Sequence, residues 1–206
     1  MAEHLALALA PVVELLEELE VVHYVGGSVA SMTHGEKRET SDVDIVADLQ
    51  PDHADAFHQK LSATFYVDEI AIRRAITRRE SFNIFHLETF FKVDIFPLKQ
   101  RPYDLQAARR VQKEPVDTDP PVEAYLAQPE DILLAKLEWF RLGGGVSDRQ
   151  WRDILGIVKM QCFNLDFDYL EHWAHEINVA DLLEQALDDA GLKKLNDKET
   201  TNGDSD

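Results

Sequence analysis

The sequence predicts an α/β chain of the α+β kind: a small mixed β-sheet with flanking helices, followed by an α-helical C-terminal region. Three observations predict it. Short β-branched and aromatic runs at 21–26, 42–49, 82–88 and 90–97 are bounded by Gly, Pro, Asp and Ser, and read as strands. From Pro129 onward the apolar residues recur at helical spacing, beginning with Leu133, Leu134, Leu137 and Phe140. At 206 residues the chain is long enough for a core plus a helical subdomain. The expected division is a core at 1–114, a helical subdomain at 115–192 and an acidic tail at 193–206.

Residues 11–20 read as a helix opened by Pro11, because the fixed φ of proline suits the first helical position. A short strand follows at 21–26, and Ser28 then caps a short helix ending near Gly35. A polar loop at 36–41 leads into the strand at 42–49. Asp52 caps a helix running to about Thr64, and a further helix spans 69–78. The strands at 82–88 and 90–97 are joined by a tight turn, and so short a link favours an antiparallel pair. Residues 115–121, with three prolines, read as a linker. Pro129 opens a helix that Gly143, Gly144 and Gly145 end. Ser147 with Gln150 forms a capping box for the next helix, to about Met160. Asp166 caps another helix, and 180–190 is the last. Residues 196–206 are polar and acidic, and are expected to be disordered.

Apolar content of 45% and charged content of 29% indicate a soluble globular protein. No apolar run approaches the roughly 20 residues of a membrane span, so no membrane partner is expected. The first residues lack the basic region of a signal peptide. The single cysteine, Cys162, excludes an intrachain disulfide and fits the reducing cytoplasm. The histidines show no ligand spacing that would suggest zinc.

The net charge of −18 is unevenly spread. Residues 73–113 hold ten basic side chains against four acidic ones, among them Arg73, Arg74, Arg79, Lys92, Arg101 and Lys113. One reading is a basic rim that attracts a polyanion or a triphosphate. The other is a solvated face laced with salt bridges.

The chemistry lies in Gly26-Gly27-Ser28, Asp42-Val43-Asp44 and Asp94. Side chains alternate along a strand, so Asp42 and Asp44 share one face. Two like charges so close repel unless a cation lies between them. Asp94 on a neighbouring strand completes a set of hard oxygen ligands suited to magnesium. The glycines let backbone approach a phosphate, and a helix starting near Ser28 directs free N–H groups at it. The plainer alternatives are an ordinary strand-to-helix turn and a solvent-facing acidic alternation.

These residues resemble the nucleotidyltransferase superfamily related to DNA polymerase beta. Its signature reads here as Val25-Gly26-Gly27-Ser28, a thirteen-residue spacer, and Asp42-Val43-Asp44-Ile45, with Asp94 as the third acid. The resemblance covers roughly residues 20–98. It implies that Asp42 and Asp44 hold magnesium with the triphosphate of an NTP such as ATP. It further implies that Asp94 helps bind a second ion and assists deprotonation of the attacking hydroxyl. The implied reaction moves a nucleoside monophosphate to a hydroxyl or phosphate acceptor and releases pyrophosphate.

A narrower resemblance is to bacterial nucleotidyltransferases of the abortive-infection toxin type, which belong to toxin–antitoxin systems. Lys136 resembles their helix lysine and is implied to contact phosphate. Their later Arg-x-Lys-Asp-x-x-Asp-Leu stretch corresponds to residues 147–154, which keep the final acid as Asp153 but carry Arg149 and Gln150 where the family has Lys-Asp. The candidate nucleotide-binding set is Gly26, Gly27, Ser28, Lys136 and Arg149, joined by Arg38 and Thr40, whose loop before the acids puts them within reach of the nucleotide. The acceptor stays open between RNA, including tRNA, and a small-molecule antibiotic. The basic stretch favours RNA and the acidic remainder a cationic drug. A non-catalytic, antitoxin-like binding protein is the alternative from another class. Oligomeric state is not legible.

Overall fold

Alternation between buried and half-buried residues builds the sheet. In β2, Asp42–Ala47, the side chains of Val43, Ile45 and Ala47 are buried while Asp42, Asp44 and Val46 are half-buried. The same period appears in β5, Lys92–Pro97, where Val93 and Ile95 are buried between Lys92 and Asp94 and Phe96. A computed structural model describes residues 2–34 and 40–192, and these fall into two units, 2–33 with 40–128 and 129–192.

The first unit is a seven-stranded mixed sheet. Its strands are β1 (His23–Val25), β2, β3 (Phe65–Tyr66), β4 (Phe82–His86), β5, β6 (Gln112–Val116) and β7 (Val122–Leu126), in the order β3-β4-β5-β2-β1-β7-β6. Strand β2 runs parallel to β5 and antiparallel to β1, and β4 pairs antiparallel with β5 as the short link requires. One face of the sheet is apolar and packs with α1 (Ala2–Glu18) and α3 (Ala54–Leu61). Leu9, Val12, Leu16, Ile45, Phe57, Val93 and Leu126 are wholly or almost wholly buried there. The remaining helices of this unit are α2 (Gly27–His34), α4 (Glu69–Arg78) and α5 (Pro102–Arg110).

Several local expectations are corrected. Pro11 lies inside α1 instead of opening it. A proline there removes the bond to the carbonyl four residues back and crowds that carbonyl. That residue, Leu7, is on the exposed side of the helix, where water can take the carbonyl. Asp52 lies inside a single 3-10 turn, Pro51–His53, that precedes α3, and Gln50 stands at its cap. The expected linker at 115–121 is a hairpin: β6 and β7 pair antiparallel with Pro115 opposite Glu123. Pro115 is tolerated because β6 is the last strand of the sheet, where a missing donor costs no ladder bond. Thr118 holds the turn, donating to the Pro120 carbonyl (2.8 Å) and accepting from the Val122 N–H (2.9 Å). The helix α5 and the two-residue β3 were not legible in the sequence.

The second unit is α6 (Pro129–Leu142), α7 (Asp148–Gln161), α8 (Phe167–Glu176) and α9 (Ala180–Asp189). Ser147 caps α7 and Asp166 caps α8, each accepting from the N–H three residues on. Gly144 and Gly145 adopt positive φ after α6, and the Gly145 N–H returns to the Phe140 carbonyl. Two buried acids in the first turn of α6 tie down α8. Glu130 accepts from the Asp166 N–H (3.0 Å), and Asp131 accepts from the Tyr169 hydroxyl (2.6 Å). Among the described residues no helix is long and apolar enough to cross a membrane. The segment 193–206, expected to be a disordered tail, lies outside the described residues, as does Arg38.

Candidate active site

The register of β2 against β5 assembles the site. Asp42 pairs with Lys92 and Asp44 with Asp94 across two adjacent parallel strands. Paired residues on neighbouring strands point to the same side of a sheet, and such strands lie about 4.8 Å apart. Asp42, Asp44 and Asp94 therefore share the face opposite the apolar one. Asn83 on β4 is the register partner of Asp94 and belongs to the same face.

Gly26 and Gly27 lock this face to a helix start. The Gly26 N–H donates to the Asp44 carbonyl (2.9 Å), and the Gly26 carbonyl accepts from the Ala30 N–H (3.2 Å), the first bond of α2. The helix thus begins at Gly27, one residue before the expected cap, and Ser28 lies in its first turn. Gly27 has φ +53°, and a methyl group on it would collide with the Asp44 carboxylate. Here glycine is required twice, by the left-handed backbone and by the close approach of a carboxylate. Thr40 is buried and donates to Asp42 Oδ1 (2.8 Å) and to the Asp42 carbonyl (3.1 Å), which fixes the carboxylate.

One residue of the site was missed in the sequence. Lys92, counted there only as part of a basic stretch, donates from Nζ to Asp94 Oδ2 at 2.6 Å and lies 3.9 Å from Asp42 Oδ2. Its signal was the two-residue spacing from Asp94, which sets both on one face. The hydrogen bond to Asp94 raises the Lys92 ammonium above the usual lysine range. Burial opposes that shift, and the charges of Asp94, Asp42 and Asp44 add to it. Among the described residues no three His, Cys, Asp or Glu side chains close into a ready metal cage. The chemistry of the donors nonetheless suits a hard cation: three carboxylates share a face, and an ammonium lies 2.6 Å from Asp94 and 3.9 Å from Asp42.

The other expected residues lie in the helical unit. Lys136 on α6 is mostly buried and paired with Asp153 on α7 (3.0 Å). Arg149 is exposed on α7, and Arg152 Nε donates to the Asp148 carbonyl (3.4 Å). In the basic stretch 73–113, at least six side chains are engaged with acids. Arg73 meets Asp55 and Glu69, Arg74 meets Glu80, Arg79 meets Asp48, Lys92 meets Asp94, Arg101 meets Asp104, and Lys113 meets Glu17. The stretch is closer to a salt-bridged surface than to a bare basic rim.

A mixed sheet with Asp-x-Asp on one strand, a third acid on its parallel neighbour and a glycine turn into a helix is the nucleotidyltransferase fold. Solved structures bear this out. An antigenic nucleotidyltransferase-like protein from Paracoccidioides brasiliensis superposes with a TM-score of 0.53 at 18% identity, covering 90% of this chain and 92% of that one. The antibiotic-resistance factor ANT(2'')-Ia superposes with a TM-score of 0.50 at 12% identity, covering 88% of this chain and 95% of its own. The lincosamide antibiotic adenylyltransferase LnuA, lincomycin-bound, is more distant, with a TM-score of 0.44 at 18% identity over 71% of this chain and 91% of its own. No protein-family profile and no curated protein sequence matches the chain.

Proposed function

We propose that the protein is a magnesium-dependent nucleotidyltransferase that moves a nucleoside monophosphate from an NTP to a hydroxyl acceptor. The observation that carries this reading is the set of three carboxylates on one face of β2 and β5, with Asp44 seated against Gly27 at the start of α2. Asp42, Asp44 and Asp94 would hold magnesium, which when bound would neutralise charge on the reacting oxygens. Backbone N–H groups in the first turn of α2, with the Ser28 hydroxyl, orient the triphosphate. The acceptor hydroxyl oxygen forms a bond to the α-phosphorus. The bond from that phosphorus to the oxygen bridging to the β-phosphate breaks, and pyrophosphate leaves with the electron pair. Asp94 takes the hydroxyl proton. Thr40 holds Asp42 in place. Catalysis is then positioning and charge stabilisation more than covalent chemistry by the protein.

Lys136, through its buried pair with Asp153, positions the helices α6 and α7. Arg38 enters the nucleotide-binding set through its place in the sequence shortly before Asp42, and Arg149 through its place on α7 in the stretch that corresponds to the family's basic motif. For the acceptor we favour a small hydroxyl-bearing molecule over RNA. The basic stretch that pointed to RNA is largely engaged in ion pairs, and the net charge of −18 repels a polyanion. The antibiotic-resistance role of ANT(2'')-Ia makes hydroxyl-bearing antibiotics the first acceptors to offer.

The test offers each α-phosphate-labelled NTP, with magnesium, to total RNA including tRNA and to a panel of hydroxyl-bearing antibiotics. The wild type is compared with the Asp42→Ala/Asp44→Ala variant. A labelled small molecule with the wild type alone supports the reading and names the nucleotide. Labelled RNA keeps the reaction and replaces the acceptor. Equal labelling by wild type and variant removes the carboxylates from the chemistry. No labelled product with any acceptor favours the binding-protein reading, in which the acids are dispensable.

A further inference from the structure

The sheet face that carries Asp42, Asp44 and Asp94 does not end at β5. Register continues it across β4 to β3. Tyr66 pairs with Phe85, Phe85 with Lys92 and Lys92 with Asp42, in one row, while Asn83, Asp94 and Asp44 form the row beside it. Paired residues share a face, so two aromatic side chains stand in line with the carboxylates. Tyr66 is 64% exposed and Phe85 36%. The core does not use them: on the opposite face Phe65 and Ile84 are buried and supply the apolar contacts of β3 and β4. A single exposed ring is ordinary, but an adjacent pair continuous with a reaction centre suits the flat face of a ligand. Sheet order decides which ligand. In the proposed reaction the start of α2 takes the triphosphate, and it stands on the β1 side of β2, where the Gly26 N–H bonds the Asp44 carbonyl. Asp94, which takes the proton of the attacking hydroxyl, stands on the other side, toward β4 and β3. The acceptor then approaches over the aromatic row. We propose that Tyr66 and Phe85 are the platform on which the acceptor lies, and that the acceptor is a small hydroxyl compound with an aromatic or flat apolar ring. Strands about 4.8 Å apart and same-face residues about 6.8 Å apart put the Phe85 backbone roughly 8 Å from that of Asp94, which sets the distance between ring and reacting hydroxyl. Asn83, exposed and across from Asp94, brings an amide beside that hydroxyl. The proposal rests on the transferase reading above and names the class of its acceptor.

The probes are matched hydroxyl compounds that differ in a ring: phenyl β-D-glucoside against methyl β-D-glucoside, and phenylbutanol against butanol. Each is offered to the purified full-length protein with magnesium and the α-phosphate-labelled NTPs. The wild type is expected to label the phenyl member of each pair at least about tenfold faster. In Tyr66→Ala and in Phe85→Ala that preference should shrink to about threefold or less, whereas Tyr66→Phe and Phe85→Tyr, which keep a ring, should retain it. A ring-bearing antibiotic labelled by the wild type is carried through the same variants with the same expected loss. Saturation-transfer NMR gives a readout apart from activity. The ring protons of phenyl β-D-glucoside should take up saturation from the wild type but not from Tyr66→Ala/Phe85→Ala, and far-ultraviolet circular dichroism checks that each variant is folded. Equal labelling within both pairs, the same preference in wild type and alanine variants, or transfer only to ring-free acceptors overturns the proposal and leaves the transferase reading intact. Ring saturation that persists in Tyr66→Ala/Phe85→Ala overturns it too. Labelled RNA whose yield falls in the alanine variants also overturns it, because the occupant is then a nucleobase. If no acceptor of any kind is labelled, the transferase reading fails and the proposal fails with it.

Discussion

Each unit of this protein contains a lysine bonded to an aspartate, and the two pairs do different things. On α6 and α7, Lys136 and Asp153 are 11% and 14% exposed and lie 3.0 Å apart. On β5, the half-exposed Lys92 bonds Asp94 at 2.6 Å and lies 3.9 Å from Asp42, with the charge of Asp44 also felt at its ammonium. A mostly buried pair resists disruption, because removing one charge strands the other away from water. A half-exposed ammonium among carboxylates can give way to another cation. Residue type does not distinguish the two lysines; their burial and the strand or helix that presents them do.

Removing either lysine sharpens the contrast. Lys136→Met takes the ammonium from the mostly buried Asp153 carboxylate and is expected to cost about 3 kcal/mol of stability. The loss should be the same with EDTA or with magnesium in a urea titration. Lys92→Met should instead lose stability in EDTA and regain it with magnesium. If both variants respond to magnesium alike, the distinction between the pairs fails. Gly27→Ala comes next. Its left-handed backbone and the contact with Asp44 predict a loss of about 2 kcal/mol, together with transfer activity. Gly26→Ala is the control, because among the described residues a methyl group there meets only Tyr24 Cε2, at 4.0 Å. Equal effects at the two glycines would mean that Asp44 is not held by Gly27.

Thr40→Val removes the hydroxyl that fixes Asp42, a charged hydrogen bond of about 1.5 kcal/mol, and should slow transfer about tenfold. Thr40→Ser should restore most of the rate. An unchanged rate in Thr40→Val would leave Asp42 positioned by its strand alone. The smallest effect concerns His23 on β1, which is buried and donates from Nδ1 to the Val21 carbonyl (2.8 Å). Burial lowers its pKa, opposed by that hydrogen bond and by the charge of Glu17, while Lys113 lowers it further. The unfolded chain then binds a proton that the folded chain refuses. Stability is complete above the ordinary histidine range and falls as pH drops below about 6.5. Urea titrations at pH 7.5 and 5.5 should show a smaller difference in His23→Gln than in the wild type.

The sequence by itself determined what depends on near neighbours. The face shared by Asp42 and Asp44 follows from strand alternation. The caps at Ser147 and Asp166 follow from side-chain reach to the next turn, and the glycine turn before α2 from positive φ. The antiparallel pairing of β4 and β5 followed from their short link. Tertiary structure decided what depends on register and packing between distant segments. It set Asp94 beside Asp44, seated Gly27 against the Asp44 carboxylate and bonded Thr40 to Asp42 Oδ1. It turned a proline-rich stretch into an edge hairpin, gave Lys136 to Asp153, and made Lys92 part of the site. Local sequence fixes the direction of a side chain within its own element, but a partner is chosen only when another element arrives beside it.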